Sequence, residues 1–183
     1  MKLPTQKIEL AAPKNDHRSY LSGAYLNVET SELVVTDGHI LVKHSVELDD
    51  GDISGIIPLD AFAHARKTKS ERITTAKAAP VADKDGWIGD NTTGVPTAYT
   101  NGASFPLVNG TYPDYCKVIP EPADVTIRLD LTLLDRIRKA MFEKASPNST
   151  CQVTFRITDG NSSVRIETGK DDNVAVIMPC RVT

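Results

Sequence analysis

The 183-residue chain predicts an α+β protein in which antiparallel sheets carry basic amphipathic helices on one face. Three observations lead there. Short β-branched runs are separated by tight-turn residues, as at Val34-Val35 and Ile40-Leu41-Val42 around Asp37-Gly38. Two stretches, residues 59–72 and 131–144, have helical character and concentrate Lys and Arg. A strand–helix–strand–strand–strand order then occurs twice, with little sequence agreement between the copies, and a partial copy precedes them.

Taken in order, residues 7–10 predict a first strand and residues 13–16 a loop of turn residues. Residues 20–28 and 33–46 predict strands joined by a turn at 29–32, with no helix before them. The second run is interrupted at Thr36-Asp37-Gly38-His39, a hairpin signal because Gly tolerates positive φ. Residues 49–52 form an acidic turn, and residues 53–57 open the second repeat as a strand. Pro58 and Asp60 favour helix initiation through a fixed φ and an N-terminal carboxylate, so residues 61–70 are predicted helical. Between residues 73 and 100, Ala, Gly, Pro and Asp break every pattern, and short strands are expected around Trp87 and Tyr99.

The third repeat is the clearest. Residues 125–129 alternate strictly, Asp130 is a suitable N-cap, and residues 131–144 form an amphipathic helix ended by Pro147-Asn148. Leu133, Leu134, Ile137, Ala140 and Met141 share one helical face, and Thr132, Asp135, Arg136 and Lys139 occupy the other. Residues 152–157, 164–168 and 174–177 supply three strands, with turns at 158–161 and 169–172.

A 40% hydrophobic fraction over this length suits one domain or one and a half with a sizeable core. No run approaches the roughly 18 apolar residues of a membrane span, and Met1-Lys2-Leu3-Pro4 lacks a signal peptide's apolar core, so a cytoplasmic protein without a membrane partner is expected. Cys116, Cys151 and Cys180 have no CxxC spacing and are expected to be plain reduced thiols; no metal or cofactor is predicted. His39 and His44 are an odd number of positions apart, which puts them on opposite faces of a strand, and Asp83-Lys84-Asp85-Gly86 lacks the closing Glu of a calcium loop. With no Gly-rich phosphate loop, GxSxG or paired-carboxylate constellation, an enzyme is not expected.

Three ordered stretches carry a family resemblance. Thr36-Asp37-Gly38-His39 leading into a strand, Gly110-Thr111-Tyr112-Pro113-Asp114-Tyr115 running on to Val118-Ile119-Pro120, and Val176-Ile177-Met178-Pro179-Cys180-Arg181 together resemble the bacterial DNA polymerase III β subunit, the replicative sliding clamp. The chain looks like a shortened version, of the kind a phage or mobile element could carry. The resemblance implies a DNA-clamp-like fold, with residues 1–120 as a clamp-like domain whose first repeat lacks its helix. Residues 121–183 would be a third repeat with a C-terminal tail. In this family the hairpin and the tail face one another and receive partner peptides, which assigns peptide binding to Thr36, Gly38, His39, Leu41, Pro120, Val176, Met178, Pro179 and Arg181. Ile40 stands where the family commonly has Arg, Cys180 replaces an apolar residue, and Val182-Thr183 extend the tail, which leaves partner preference open.

The net charge of −3 argues against an overall basic DNA-coating surface, but its distribution is uneven. Residues 59–72 and 131–144 each carry four basic side chains against two acidic ones, so positive charge concentrates on the two predicted helices. Charge alone favours the plainer reading, in which the helices merely solvate a basic face. The resemblance instead places these helices in a clamp's bore, and assigns sequence-independent contacts with duplex DNA to Arg66, Lys67, Lys69, Arg72, Arg136, Arg138 and Lys139. It implies a processivity factor that tethers a DNA polymerase or repair protein through short peptide motifs and could close as a homo-oligomer, for example a tetramer. The rival expectation is a clamp-fold adaptor or decoy that binds partner peptides without encircling DNA, which the missing first helix favours.

Overall fold

A computed structural model describes residues 1–13, 16–77, 94–120, 125–142, 151–168 and 174–180, which belong to two units, Met1–Asp114 and Tyr115–Thr183. In the first unit, β1 (Gly23–Asn27), β2 (Glu32–Thr36), β3 (Leu41–Ser45) and β4 (Gly55–Pro58) form an antiparallel sheet in the order β3-β2-β1-β4. Strand β4 approaches β1 closely because Gly23 has no side chain: a Cβ there would lie 2.4 Å from the Ile57 carbonyl oxygen. Helix α1 (Leu59–Thr68) follows β4 directly, and a second sheet of β5 (Thr74–Ala76), β6 (Thr97–Thr100) and β7 (Ala103–Pro106) has the order β5-β6-β7.

One core joins these elements. Alternation along β2 sends Leu33 and Val35 inward, where they meet Leu26, Ile57 and the buried face of α1, Ala61, Phe62 and Ala65. On the opposite face of the same sheet, Tyr112 stacks on Tyr25 at 5.0 Å and its hydroxyl donates to the Val34 carbonyl at 3.3 Å. The Met1 amine donates to Asp49 at 2.9 Å, to Asp52 at 2.5 Å and to the Ile73 carbonyl at 2.7 Å. That anchor lays the first residues beside the start of the second sheet, with Lys2 bridged to Arg72.

In the second unit, helix α2 (Leu131–Met141) precedes an antiparallel sheet of β8 (Val153–Arg156), β9 (Val164–Thr168) and β10 (Val174–Ile177) in the order β10-β9-β8. Asp130 caps α2 as expected, accepting from the Thr132 amide at 2.7 Å. Val164, Ile166 and Ile177 are buried, with Ile127, Leu129, Leu134 and Ile137 packed over them. Asp159 accepts from the Asn161 and Ser162 amides at 2.8 and 2.7 Å, which fixes the turn between β8 and β9.

Four expectations change. Residues 7–10 are not a strand: Ile8–Ala11 is a 3-10 turn, whose three-residue period puts Ile8 and Ala11 on the same buried side and leaves Leu10 76% exposed. The strand predicted from residue 20 begins at Gly23, after a second 3-10 turn at Ser19–Leu21. The predicted strand at residues 125–129 joins no ladder among the described residues. Helix α1 begins at Leu59, two residues before the expected start, whereas α2 begins at Leu131 as expected. Trp87, the calcium-loop-like Asp83–Gly86, Pro147-Asn148, the 169–172 turn and Arg181 lie outside the described residues.

Candidate functional site

The connection between β2 and β3 is a four-residue loop, because Thr36 pairs with Leu41. Its shape is built from side chains of the chain's own Thr-Asp-Gly-His sequence. The Thr36 hydroxyl accepts from the Gly38 amide at 3.0 Å and donates to the Ile40 carbonyl at 2.6 Å. Asp37 turns its carboxylate onto the amides of His39 and Ile40, at 2.7 and 2.9 Å. These two backbone donors hold the Asp37 carboxyl below the usual carboxylate range. Gly38 has φ +91°, a conformation that side-chain-bearing residues rarely adopt.

An arginine that the sequence reading passed over completes the loop. Arg18 donates to the Asp37 carbonyl at 3.2 Å, and its guanidinium lies 3.3 Å from where a Cβ on Gly38 would sit. Asp16 fixes that guanidinium by paired contacts to Nε and Nη2, the shorter at 2.6 Å. The Arg18 pair in turn drives the Asp16 carboxyl far below its ordinary value. The Asp16-x-Arg18 spacing, a short ion pair across a turn, was the available sequence signal.

Thr36 is buried, Leu41 is half-buried, and Gly38 and His39 are exposed. Because neighbouring strand residues point oppositely, Leu41 shares the Thr36 face, whereas Ile40 and Val42 point to the other side. There they line a groove of about 300 Å³ together with Ile8, Leu10 and Ala11 of the first 3-10 turn. The loop therefore separates two apolar surfaces within this unit.

In the second unit, Val176 and Met178 are 59% and 65% exposed, Pro179 is half-buried and Pro120 is exposed. Ile177 between them is buried, as strand alternation requires. The tail thus presents apolar side chains on a strand whose other face is core.

The predicted DNA-contacting residues divide by environment. Lys67 and Lys69 of the first unit and Arg136 of the second are exposed and make no ion pair among the described residues. Arg138 and Lys139 share Asp135, at 2.9 and 2.5 Å, and the two cations hold that carboxyl below its usual range. Arg72 pairs with Asp49 and Glu47. Arg66 is a tether: half-buried, it reaches Glu9 at 3.1 Å and donates to the carbonyls of Pro4 and Gln6 at 2.7 and 2.8 Å. No cluster of three His, Cys, Asp or Glu suited to a metal occurs among the described residues, and no described helix is long and apolar enough to cross a membrane.

No family model and no curated protein matches the chain. Solved structures do. The chain is similar to the pol III beta of Caulobacter crescentus, at TM-score 0.64 and 19% identity over 94% of this chain and 47% of that one. The DNA polymerase sliding clamp of Bacillus subtilis gives 0.61 and 18%, over 94% and 44%. A DNA polymerase III subunit beta from Bartonella birtlesii, solved bound to griselimycin, gives 0.51 and 19%, over 95% and 62%. The chain spans about half to three-fifths of these structures' lengths. With antiparallel sheets and two helices among its described residues, this chain has the α+β fold of the bacterial DNA polymerase III beta sliding clamps.

Proposed function

We propose that this chain is a sliding-clamp-like processivity factor of DNA replication, which does no chemistry and tethers a polymerase or repair protein to duplex DNA through a short peptide motif. The observation that carries the reading is the Thr36–Ile40 loop, on a fold shared with sliding clamps. Its conformation is fixed by internal hydrogen bonds, while His39 and the Leu41 side remain available to a ligand. A pre-shaped loop spares a peptide the entropic cost of ordering it. Thr36, Gly38, His39 and Leu41 form the proposed contact on the first unit. Pro120, Val176, Met178, Pro179 and Arg181 form the proposed contact on the second, where Met supplies a deformable apolar surface.

A short peptide with one Gln and paired hydrophobic anchors tests this. Binding in the micromolar range, about −8 kcal/mol, is expected by calorimetry, with NMR shifts at His39. His39→Ala and Met178→Ala should each weaken it by more than about 1 kcal/mol. Shifts confined to other surfaces, or affinity that survives both changes, would leave the fold without this function.

A second reading has its own support. With Arg66 and Arg72 engaged by the chain's own acidic groups and carbonyls, less of the positive charge around α1 is available to phosphates. That favours an adaptor or decoy that binds partner peptides without encircling DNA.

A further inference from the structure

We propose that the groove beside the first 3-10 turn is a docking site for an acidic amphipathic helix of a partner protein. The first unit itself supplies the template. Its hairpins β2–β3 and β6–β7 share one register: Val35 pairs with Val42 and Ala98 with Phe105, and the same sequence spacing separates Val35 from Ala98 and Val42 from Phe105. Both pairs face the core. Over β6 and β7 lies helix α1, ten residues long, which buries Ala61, Phe62 and Ala65 completely and sets His64 against Phe105 at 5.7 Å between ring centres. Over β2 and β3 lies the four-residue turn Ile8–Ala11, whose buried residues are Ile8 and Ala11. The helix runs about 15 Å along its sheet and the 3-10 turn about 8 Å, so the turn covers roughly half as much of an equivalent surface.

The remainder is the groove of about 300 Å³. Ile8, Leu10, Ile40 and Val42 give it apolar walls, and Lys7 and His44 also line it. Leu10 is 76% exposed and Ile40 53%. Of the three large apolar side chains exposed among the described residues of the first unit, the third being Val95, two therefore stand at this one concavity. Exposed apolar side chains gathered on a concave surface mark an interaction site. Its volume suits about two ring- or leucine-sized side chains, which an amphipathic helix delivers from positions i and i+3 or i+4.

Charge selects the partner. In a chain of net charge −3, the groove is lined by two basic side chains, Lys7 and His44, and by no Asp or Glu. Among the described residues Lys7 makes no ion pair and the His44 ring makes no hydrogen bond, so both can meet a carboxylate from outside. Duplex DNA does not fit, because its phosphates would face Leu10 and Ile40 in place of a run of cations. A second copy of this chain does not fit either. It would offer α1 or α2, each of which carries more basic than acidic side chains and would be repelled by Lys7. The occupant is thus a helix of different sequence, with apolar anchors on one face and carboxylates beside them.

The probe is an end-capped, Ala-rich peptide of about fifteen residues with Leu, Phe and Leu at i, i+4 and i+7 and two Glu beside them, and its twin carries Lys in place of Glu. In an NMR titration of the full chain at low salt, the acidic peptide should bind with a Kd of about 10–100 μM and shift residues 7–11 and 40–44. The twin should bind at least about threefold more weakly, and salt should narrow the difference. Leu10→Ser, at a position exposed enough to leave the fold alone, should weaken the acidic peptide at least about fivefold. Lys7→Glu should reverse the order of the two peptides. Absence of shifts at residues 7–11 and 40–44 up to about 1 mM, equal affinity for the twins, or an affinity unchanged in Leu10→Ser overturns the proposal. Displacement by the Gln-containing peptide of the function proposed above also overturns it, because the helix would then occupy that peptide's site. Self-association of the parent chain that is lost in Leu10→Ser would likewise overturn it, by giving the groove to a second copy.

Discussion

Tyr112 shows how one residue of the Gly-Thr-Tyr-Pro-Asp-Tyr stretch acts on the fold. Its ring covers the sheet face around Tyr25 and Val34, and its hydroxyl finds the Val34 carbonyl. Burial pushes the phenol up to about 12, above an ordinary value near 10. The folded state therefore holds its proton where the unfolded chain has lost it. The stabilisation is fully present below pH 10 and declines as pH rises toward 12. In a tyrosinate absorbance titration, one of the five tyrosines should ionise last, and Tyr112→Phe should remove that late step and flatten the alkaline fall in stability. A late step that persists in Tyr112→Phe would assign it to another tyrosine. The same local logic governs Gly38, whose φ of +91° and guanidinium neighbour both resist a side chain.

At the level of elements, the first 3-10 turn offers a sharp discrimination. A strand would place Ile8 and Leu10 on one face and make both matter, whereas the turn buries Ile8 at 3% exposure and leaves Leu10 at 76%. Ile8→Ala should cost about 2–5 kcal/mol in chemical denaturation and Leu10→Ala within about 0.5 kcal/mol. Equal costs would restore the strand. This case also shows where sequence reasoning ran out. Apolar-polar alternation over four residues fits both periods, and what decided between them was the sheet face beneath, a tertiary fact. The strand runs at β2, β9 and β10, and the helix start at Asp130, were legible because pattern and cap chemistry agree locally. The hairpin loop was legible for the same reason, its shape being set by Thr36 and Asp37 themselves. Arg18 was not, because its contact with Asp37 spans the sequence between two elements. Nor was it legible that residues 125–129 join none of the ladders among the described residues, since alternation reports a strand's faces and is silent about its neighbours.

For the whole molecule the open question is whether a chain of net charge −3 engages duplex DNA, and the side-chain environments sort the seven candidate cations into different roles. Lys67, Lys69 and Arg136 are exposed without an ion pair among the described residues, so each can exchange water and counterions for a phosphate. Arg66 would first have to give up Glu9 and two carbonyls. Counterion release makes the logarithm of affinity fall with the logarithm of salt by about 0.9 for each phosphate neutralised. Changing Lys67, Lys69 and Arg136 together to Ala should therefore flatten the salt dependence of duplex binding by up to about 3, with the same effect on any sequence. Arg66→Ala should instead lower the melting temperature and leave the slope near that of the parent, because its work is inside the first unit. Fluorescence anisotropy with two unrelated duplexes across a salt series measures both. A parent protein that binds neither duplex at low salt would remove DNA from the proposed function and leave the peptide adaptor standing. A slope lost in Arg66→Ala but kept in the triple variant would mean that the tether, and not the exposed cations, faces the phosphates.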